Sequence, residues 1–592
     1  MLFLVKSFLY LALLAPLILT PSLYFPFITG KALFFRLAVE LALLAFGFYL
    51  ALGGRVNWQK IRHPVVIALS LFALVSAITG LTGVNPQNSW WSDFERGEGV
   101  WQIIHYWLFF LLTVLVFNTK VEWQRLLGAS ILVSFIVSLY GLAQHLNLSG
   151  IILSGSGRIS GTLGNPSYLA AYLLFHMIFA GYLLYNELNK PVKNRWWVLL
   201  LVLILLTELF DYYQTGTKAA LIALFVGLSA GFITFWRKSL AVFFASVFCI
   251  VLILITLGFS LAPVYLYGAL KSRFWTWGSA LAGFIEKPWL GWGVENFPYV
   301  FDKYYNPQHY GLESWFDRAH NIFLDYLVAG GLPLLTAYLA IFVFYYLSLV
   351  KLPKNFFWVV FAVLPIIYLI QGQALFEVLA IYLAFFLFLA FFVNYTVSAD
   401  WTKTVDASSF RHHRLYLIYG LTALLIFALP VSFYFTLWRP LVKNRLIIQP
   451  LAENDPRIIF TGLKKAVEYP ALVGQQEAVQ QLLKTTLEYL RFLKKDKKPL
   501  PQDLIDLNNQ MFDRDQGRFV GVKNLYLISG LDWEAGQTAR TKELARRGRE
   551  LAPTRLEFIE LLLRVARSEK DEAAAKELQA MARFLRPDLP QL

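Results

Sequence analysis

Cysteine is all but missing from this chain of 592 residues: Cys249 stands alone in an apolar run. No intramolecular disulfide is possible, and cysteine usage says nothing about the redox compartment. Charge is scarce as well. Asp, Glu, Lys and Arg make up 15% of the chain, against about 25% in an average soluble protein. Clusters with metal-ligand spacing are also missing: Asp302, Glu313 and Asp317 are scattered, so neither a metal site nor a cofactor is expected. What fills the chain is apolar. A hydrophobic share of 57%, 51 Phe and a mean hydropathy of +0.54 exclude a wholly soluble globular protein.

The charge that exists is unevenly spread. Residues 1–439 carry 44 of the 91 charged side chains, and residues 440–592 carry 47 in about a third of that length. A membrane domain over 1–439 followed by a water-soluble domain over 440–592 is the simplest organisation. The net charge of +15 would point to nucleic acid in a soluble protein. Here much of it belongs to short loops between apolar runs, where basic residues set orientation, and no nucleic-acid partner is expected.

Apolar segments of roughly 17–25 residues cross a bilayer as helices. Thirteen are expected, at about 3–20, 33–52, 64–82, 100–118, 126–146, 167–186, 196–210, 218–235, 239–260, 332–350, 356–372, 376–396 and 415–436. The fold class that follows is mainly α: a polytopic transmembrane helical domain plus a soluble helical domain. The first run lacks a small-residue cleavage site, and Pro21 and Pro26 lead straight into the second, so it is read as a span rather than a signal peptide. A long non-spanning segment remains at about 261–331.

Alternate loops hold Arg55, Lys60, Arg62; Lys120, Arg125; Lys190, Lys193, Arg195; Arg237, Lys238; Lys351, Lys354; and Lys403, Arg411, Arg414, fifteen basic residues in all. The short loops of the opposite face hold only Lys31, Arg96, Arg158 and Lys218. The positive-inside rule then puts the N-terminus in the cytoplasm, and thirteen crossings put both 261–331 and 440–592 outside. The C-terminal part is expected to be helical over Thr538–Leu551, about Leu556–Arg567 and Glu572–Leu585. Helix pairs punctuated by Ala and Pro at a spacing of roughly 34 residues resemble tetratricopeptide repeats, which bind proteins or serve as spacers.

Polar residues collect in the segments placed outside. Asn88–Gly99 holds Glu95 and Arg96, Gly155–Tyr168 holds Arg158 and Asn165, Tyr212–Lys218 ends on Lys218, and Lys271–Trp277 holds Arg273. Pro288-Trp-Leu-Gly-Trp-Gly293 is followed by Asp317-Arg318-Ala-His320-Asn321. Two readings stand side by side. In one, the Trp residues form an interfacial belt, Asn165-Pro166-Ser167 is a turn and cap, Lys218 and Arg273 snorkel to headgroups, and His320 merely starts a helix. In the other, these loops meet in one pocket. Arg offers phosphate a two-pronged contact, glycine-rich turns let backbone amides approach it, and His320 titrates near neutral pH, with His309 a weaker second.

Phe94-Glu-Arg-Gly-Glu-Gly99, Gly157-Arg-Ile-Ser-Gly-Thr-Leu-Gly-Asn-Pro-Ser-Tyr-Leu-Ala170, Thr215-Gly-Thr-Lys-Ala-Ala220 and the Pro288–Gly293 turn leading to His320-Asn321 together resemble the O-antigen ligase and O-antigen polymerase family of bacterial membrane glycosyltransferases. The resemblance covers most of residues 1–400, most diagnostically about 200–350. It implies a GT-C-like membrane domain that transfers a glycan from an undecaprenyl-pyrophosphate donor to an acceptor hydroxyl outside the bacterial cytoplasmic membrane, without metal or nucleotide. His320 and Arg273 match the family's catalytic loop histidine and arginine. Lys218 falls where many members have Arg, keeping the charge and losing the fork. Lys218, Arg158, Arg318, Arg96, Glu95, Asn165 and Asn321 form the expected substrate-binding set, and a groove among the lipid-facing helices takes the polyprenyl tail. The acceptor is a glycan, a lipid such as lipid A core, or a protein, which leaves ligase, polymerase and protein O-oligosaccharyltransferase open. A protein partner for the C-terminal domain is also open. A transporter of lipid-linked glycan is the rival class: Glu40, Glu208 and Glu377 near span ends are its only support.

Overall fold

The structure, a computed structural model, describes residues 1–153, 157–261, 265–397, 412–515 and 521–589. Gly155 of the glycine-rich turn and the loop bases Lys403 and Arg411 lie outside the described residues. Every regular element among the described residues is helical. Among the described residues nine helices are long and apolar enough to cross a membrane, and four shorter apolar helices, Leu2–Leu17, Val100–Val116, Leu240–Val251 and Phe356–Gln371, accompany them. The thirteen expected runs all fall on these helices.

Their starts follow local chemistry. Thr119 and Glu122 close a reciprocal capping box on Lys120–His145. Pro64 and Pro166 occupy first-turn positions where no amide hydrogen is needed. At the centre lies Leu379–Val397, packed on Val100–Val116 and Pro166–Leu188. Its apolar window is 83% buried, against 28% for Arg195–Gln214, so the first is core and the second faces outward. The core is built largely of rings: Tyr368 stacks on Phe385 at 4.4 Å and 14°. Lys60, counted above as a loop base, is buried instead. Its ammonium reaches Val114 O at 2.9 Å, Asn118 Oδ1 at 2.7 Å and Asn394 Oδ1, and so ties three segments together.

The segment at 261–331 is not a simple connector. It opens with the helix Tyr265–Glu286, passes the Pro288–Gly293 turn and the short helix Phe297–Lys303, and joins a helix at Ile322, ten residues before the expected 332. That last helix, Ile322–Leu349, is broken at Gly330 and Gly331, where φ reaches +61°. The apolar run read from 332 begins just after this pair. In the structure the helix resumes across it.

The C-terminal helices Pro456–Glu468, Gln475–Lys495, Gln502–Asp515, Val522–Glu534, Thr538–Leu551, Leu556–Ser568 and Glu572–Leu585 bury a second apolar core of their own. Three of these lie where the sequence puts them. Arg555 fastens this core to the 302–315 segment. It is fully buried, donates to Asp302 Oδ1 at 2.6 Å and Ser314 O at 2.8 Å, and lies over Trp315 at 3.7 Å and Tyr305 at 4.3 Å. Thr554 Oγ1 and Arg586 add bonds to the carbonyls of Tyr305 and Pro307 at 2.5 and 2.9 Å. Removing one member of a buried ion pair strands the other, at a cost of about 3–5 kcal/mol. Arg555→Ala is therefore expected to lower the melting temperature of the full chain in detergent and to open the 302–315 segment to protease. An unchanged melting curve and digest would refute this account of the clasp.

Candidate active site

The Pro288–Gly293 turn is seated in the broken helix. A break at Gly330–Gly331 leaves Val328 and Ala329 carbonyls without their helical donors, and buried carbonyls need partners. Trp292 N–H donates to Val328 O and Gly293 N–H to Ala329 O, both at 2.8 Å, while Leu332 N–H returns a bond to Pro288 O at 2.9 Å. The fit is close enough that a Cβ on Gly291 would stand 2.5 Å from Val328 O, at a φ of +64°. Glycine is required here.

The turn delivers Glu295 and Asn296. Asn296 Nδ2 donates to Ser89 Oγ at 3.0 Å and Trp292 O at 2.9 Å, which fixes the 85–92 segment alongside. Glu295 accepts from Ser92 Oγ at 3.1 Å and pairs with Arg318. Arg318 then leads into Ala319, His320 and Asn321, whose neighbours are all spoken for. Ala319 N–H donates to Asp325 Oδ1 at 2.7 Å, Trp277 Nε1–H to Ala319 O at 3.0 Å, and Asn321 Oδ1 caps the amides of Phe323 and Leu324 at 3.1 and 3.2 Å. Asn321 Nδ2 also donates to Gln373 Oε1 at 3.0 Å. Between these anchors His320 is held at φ +53°, a left-handed conformation that non-glycine residues seldom adopt. Ser92 and Glu295 share that conformation, at +59° and +64°. Each such residue costs of order 1–3 kcal/mol, and such strain collects where the surroundings impose a geometry.

Phe376 is where the expected residues meet. The His320 ring stands against it at 5.0 Å and against Phe316 at 5.7 Å, both edge to face. The Arg96 guanidinium lies over Phe376 at 4.7 Å and that of Arg318 at 5.9 Å. Tyr168, three residues into the helix that Asn165 caps, packs on it at 5.7 Å. His320 is half-buried, and its ring makes no hydrogen bond to a described residue.

The cations differ in how far they are committed. Arg96 is bound twice by Asp317, with Nη2 to Oδ1 at 3.0 Å, and lies 3.2 Å from Glu95. Burial opposes the charges of Arg96 and Arg318, but Asp317 and Glu295 more than offset it, and both guanidiniums are held firmly protonated. Arg273 is different. Its Nη1 is buried without a hydrogen-bond partner among the described residues, and burial lowers its pKa while Glu313 and Asp325 restore only part of the loss. It stands one turn before Trp277 on Tyr265–Glu286, so it shares the face that reaches Ala319. Arg158 and Lys218 form a separate group: Arg158 Nη1 donates to Thr215 O at 3.2 Å, beside the exposed Lys218 that opens Lys218–Arg237. His309 is sealed among Trp275, Phe301 and Phe316, and burial, with the Arg555 charge adding, pushes it down to about 4.

Four buried carboxyls escaped the sequence reading as site residues: Glu98, Glu295, Asp325 and Glu377. With Arg318 and Phe376 they line a cavity of about 40 Å³, room for a water. Glu295 had a signal, since it directly follows the Gly-Trp-Gly turn. Glu40 and Glu208 lie elsewhere, on His105 and Ser432 and on Ser134.

Residues 200–339 match the family model described as O-antigen ligase, a span that takes in Lys218, Arg273, the Pro288–Gly293 turn and His320. Over that segment the chain is similar to the O-antigen ligases. The match supports glycosyl transfer of that general kind, in a multi-pass membrane protein. No curated protein matches the chain.

Burial pushes Glu98 up from 4.5 to about 8, against the hydrogen bond from Tyr106 and with Glu295 adding. From 4.5 to about 8 the unfolded chain releases a proton that the folded chain keeps, so stability falls as pH rises through that window and levels off above it. Melting temperatures from about pH 5 to about pH 9 should decline accordingly, and Glu98→Gln should flatten the decline. An equal slope in the variant would show that Glu98 is ionised in the fold.

Proposed function

We propose that this chain transfers a glycan from an undecaprenyl-pyrophosphate carrier to an acceptor hydroxyl at the outer face of a bacterial cytoplasmic membrane. One observation carries the reading: within the segment matched by the ligase model, a strained His320 whose ring bonds no described residue adjoins the face of a helix that bears Arg273, whose Nη1 is buried without a hydrogen-bond partner among the described residues. The orientation draws on the split of loop bases, fifteen against four in sequence and still lopsided without the buried Lys60, which favours a cytoplasmic N-terminus and residues 440–592 outside.

The chemistry is a single inverting displacement. The acceptor oxygen forms a bond to the anomeric carbon as the bond from that carbon to the phosphate oxygen breaks. The hydroxyl proton passes to His320, and the electron pair leaves with the polyprenyl pyrophosphate. Arg273 meets the charge that develops on the leaving oxygen; a desolvated cation without a counterion is stabilised by that encounter, so the interaction grows as the reaction proceeds. Arg96 and Arg318 are already matched by carboxylates and serve to fix the loop and the sugar. Arg158 and Lys218 at the Thr215–Lys218 turn offer charge to the carrier's outer phosphate. The C-terminal helices, tetratricopeptide-like in their pairing, hold the 302–315 segment.

His320→Ala should reduce transfer by about 10²–10⁴-fold while leaving membrane insertion and melting temperature near wild type. Arg273→Lys keeps a charge and loses the fork, and should fall by about 10²-fold or more. The assay uses purified protein, polyprenyl-linked glycan and candidate acceptors, with product read by mass. Near wild-type transfer by His320→Ala would end the proposed role.

A further inference from the structure

A cleft of about 910 Å³ opens where the Asn85–Asp93 segment faces the start of the helix Gln475–Lys495. Asn88 and Asp93 line one wall, Gln476 and Glu477 the other. Those same four residues also line a deeper pocket of about 250 Å³ that continues the cleft inward. Glu95, Phe316 and Asp317 line it as well. Phe316 is the ring against which His320 stands at 5.7 Å, so cleft and pocket lead toward the imidazole.

The lining selects a ligand class. Arg514 is the sole cation lining the outer cleft among the described residues, beside Asp93, Glu468 and Glu477, so the cleft offers a phosphate group little to bind. Ten of the seventeen residues lining the deeper pocket end in an amide or carboxyl group. Such groups match hydroxyls, which both donate and accept, and leave few apolar hollows for peptide side chains. Burial, reinforced by Glu477, Glu295, Glu95 and Asp317, raises Asp93 well above the usual carboxylate range, so it can donate as well as accept. Both walls must be present: one belongs to the segment next to the site and the other to the C-terminal helices, joined by Phe94 N–H to Glu477 Oε1 at 2.6 Å and Gln87 Nε2–H to Leu472 O at 2.7 Å.

We infer that this cleft, built jointly by the Asn85–Asp93 segment and the C-terminal helices, binds the acceptor by an uncharged oligosaccharide portion and directs its terminal hydroxyl past Phe316 to His320. The inference rests on the transfer reading above and gives the C-terminal helices a direct part in choosing the acceptor.

The test uses the full chain in nanodiscs with polyprenyl-linked glycan as donor and three probes as acceptor: lipid A core, a second lipid-linked repeat unit, and a serine-rich polypeptide. On the probe that yields product, Gln480→Trp, which fills the deeper pocket, and the milder Gln476→Ala should each raise the acceptor KM by about fivefold or more. The donor KM and kcat should stay within about twofold. Gln476→Ala keeps the test alive if the bulky variant misfolds. An unchanged acceptor KM in a folded variant, or an equal rise in donor KM, overturns the cleft while leaving the transfer reading standing. Product only on the polypeptide overturns the ligand class. Absence of product on all three with the wild-type chain removes the transfer reading itself, and the cleft with it.

Discussion

A helix that stops hydrogen-bonding to itself must give its carbonyls another partner, and the site depends on how that need is met. Gly330 and Gly331 interrupt Ile322–Leu349, and the amides of Trp292 and Gly293 take the places of the lost helical donors. Because two bonds at 2.8 Å and a return bond at 2.9 Å fix the turn in both position and direction, Glu295 emerges at a defined point. Arg318 must come to that point, and His320 is two residues beyond it. Aqueous loops can relax around a missing bond. A loop locked into a broken helix beside an apolar core cannot, since an unpaired carbonyl there costs about 1–3 kcal/mol.

The electrostatics of the site invert the expectation raised by its arginines. Arg96 and Arg318 look in sequence like anion receptors, yet each is matched by a carboxylate across the loop. A buried guanidinium paired in this way gains little from a further anion, because the ligand would have to displace or share Asp317 or Glu295. Arg273 has no such close ion pair, and its lowered pKa is the signature of a cation partly withdrawn from water and only partly compensated. Phe376 makes the paired arginines useful in another way. Its ring face accepts guanidiniums while its neighbour His320 approaches edge on, so one aromatic plate sets the spacing of three polar side chains.

Much of this was legible beforehand, for reasons that can be named. Lipid leaves little choice for backbone amides except the helix, so thirteen apolar runs translate directly into helices. Asn165 announced a helix start through cap chemistry and caps as expected, whereas the cap made by Asn321, expected only among the substrate-binding residues, was not read. The C-terminal boundaries followed from amphipathic spacing with Pro553 and Pro587 as punctuation. What stayed hidden depends on tertiary proximity. Phe376 is one of 51 Phe and nothing local distinguishes it; only the approach of Arg96, Arg318 and Tyr168 from distant segments does. Tyr265–Glu286 was lost because its Lys, Ser, Arg and Trp residues break the apolar pattern of a span without showing what the helix packs against. Lys60 looked like a topological charge and proved to be a buried tie, since charge counting cannot see a carbonyl cage.

The C-terminal helices and the site are mechanically in series, and this follows from how few residues separate their contacts. Arg555 is stacked on Trp315, the next residue, Phe316, touches His320, and the one after, Asp317, grips Arg96. Three consecutive side chains thus carry the clasp, the imidazole contact and the ion pair. A change at any one shifts the backbone that the others share, and energetic coupling between neighbours in one such network is typically 0.5–3 kcal/mol. On the Phe94 side the link is equally short: its amide is bound by Glu477 of the C-terminal helices, and Arg96 lies two residues on. The site is therefore held from both flanks by helices outside the membrane core, so its geometry is a property of the whole chain rather than of the ligase-family segment alone.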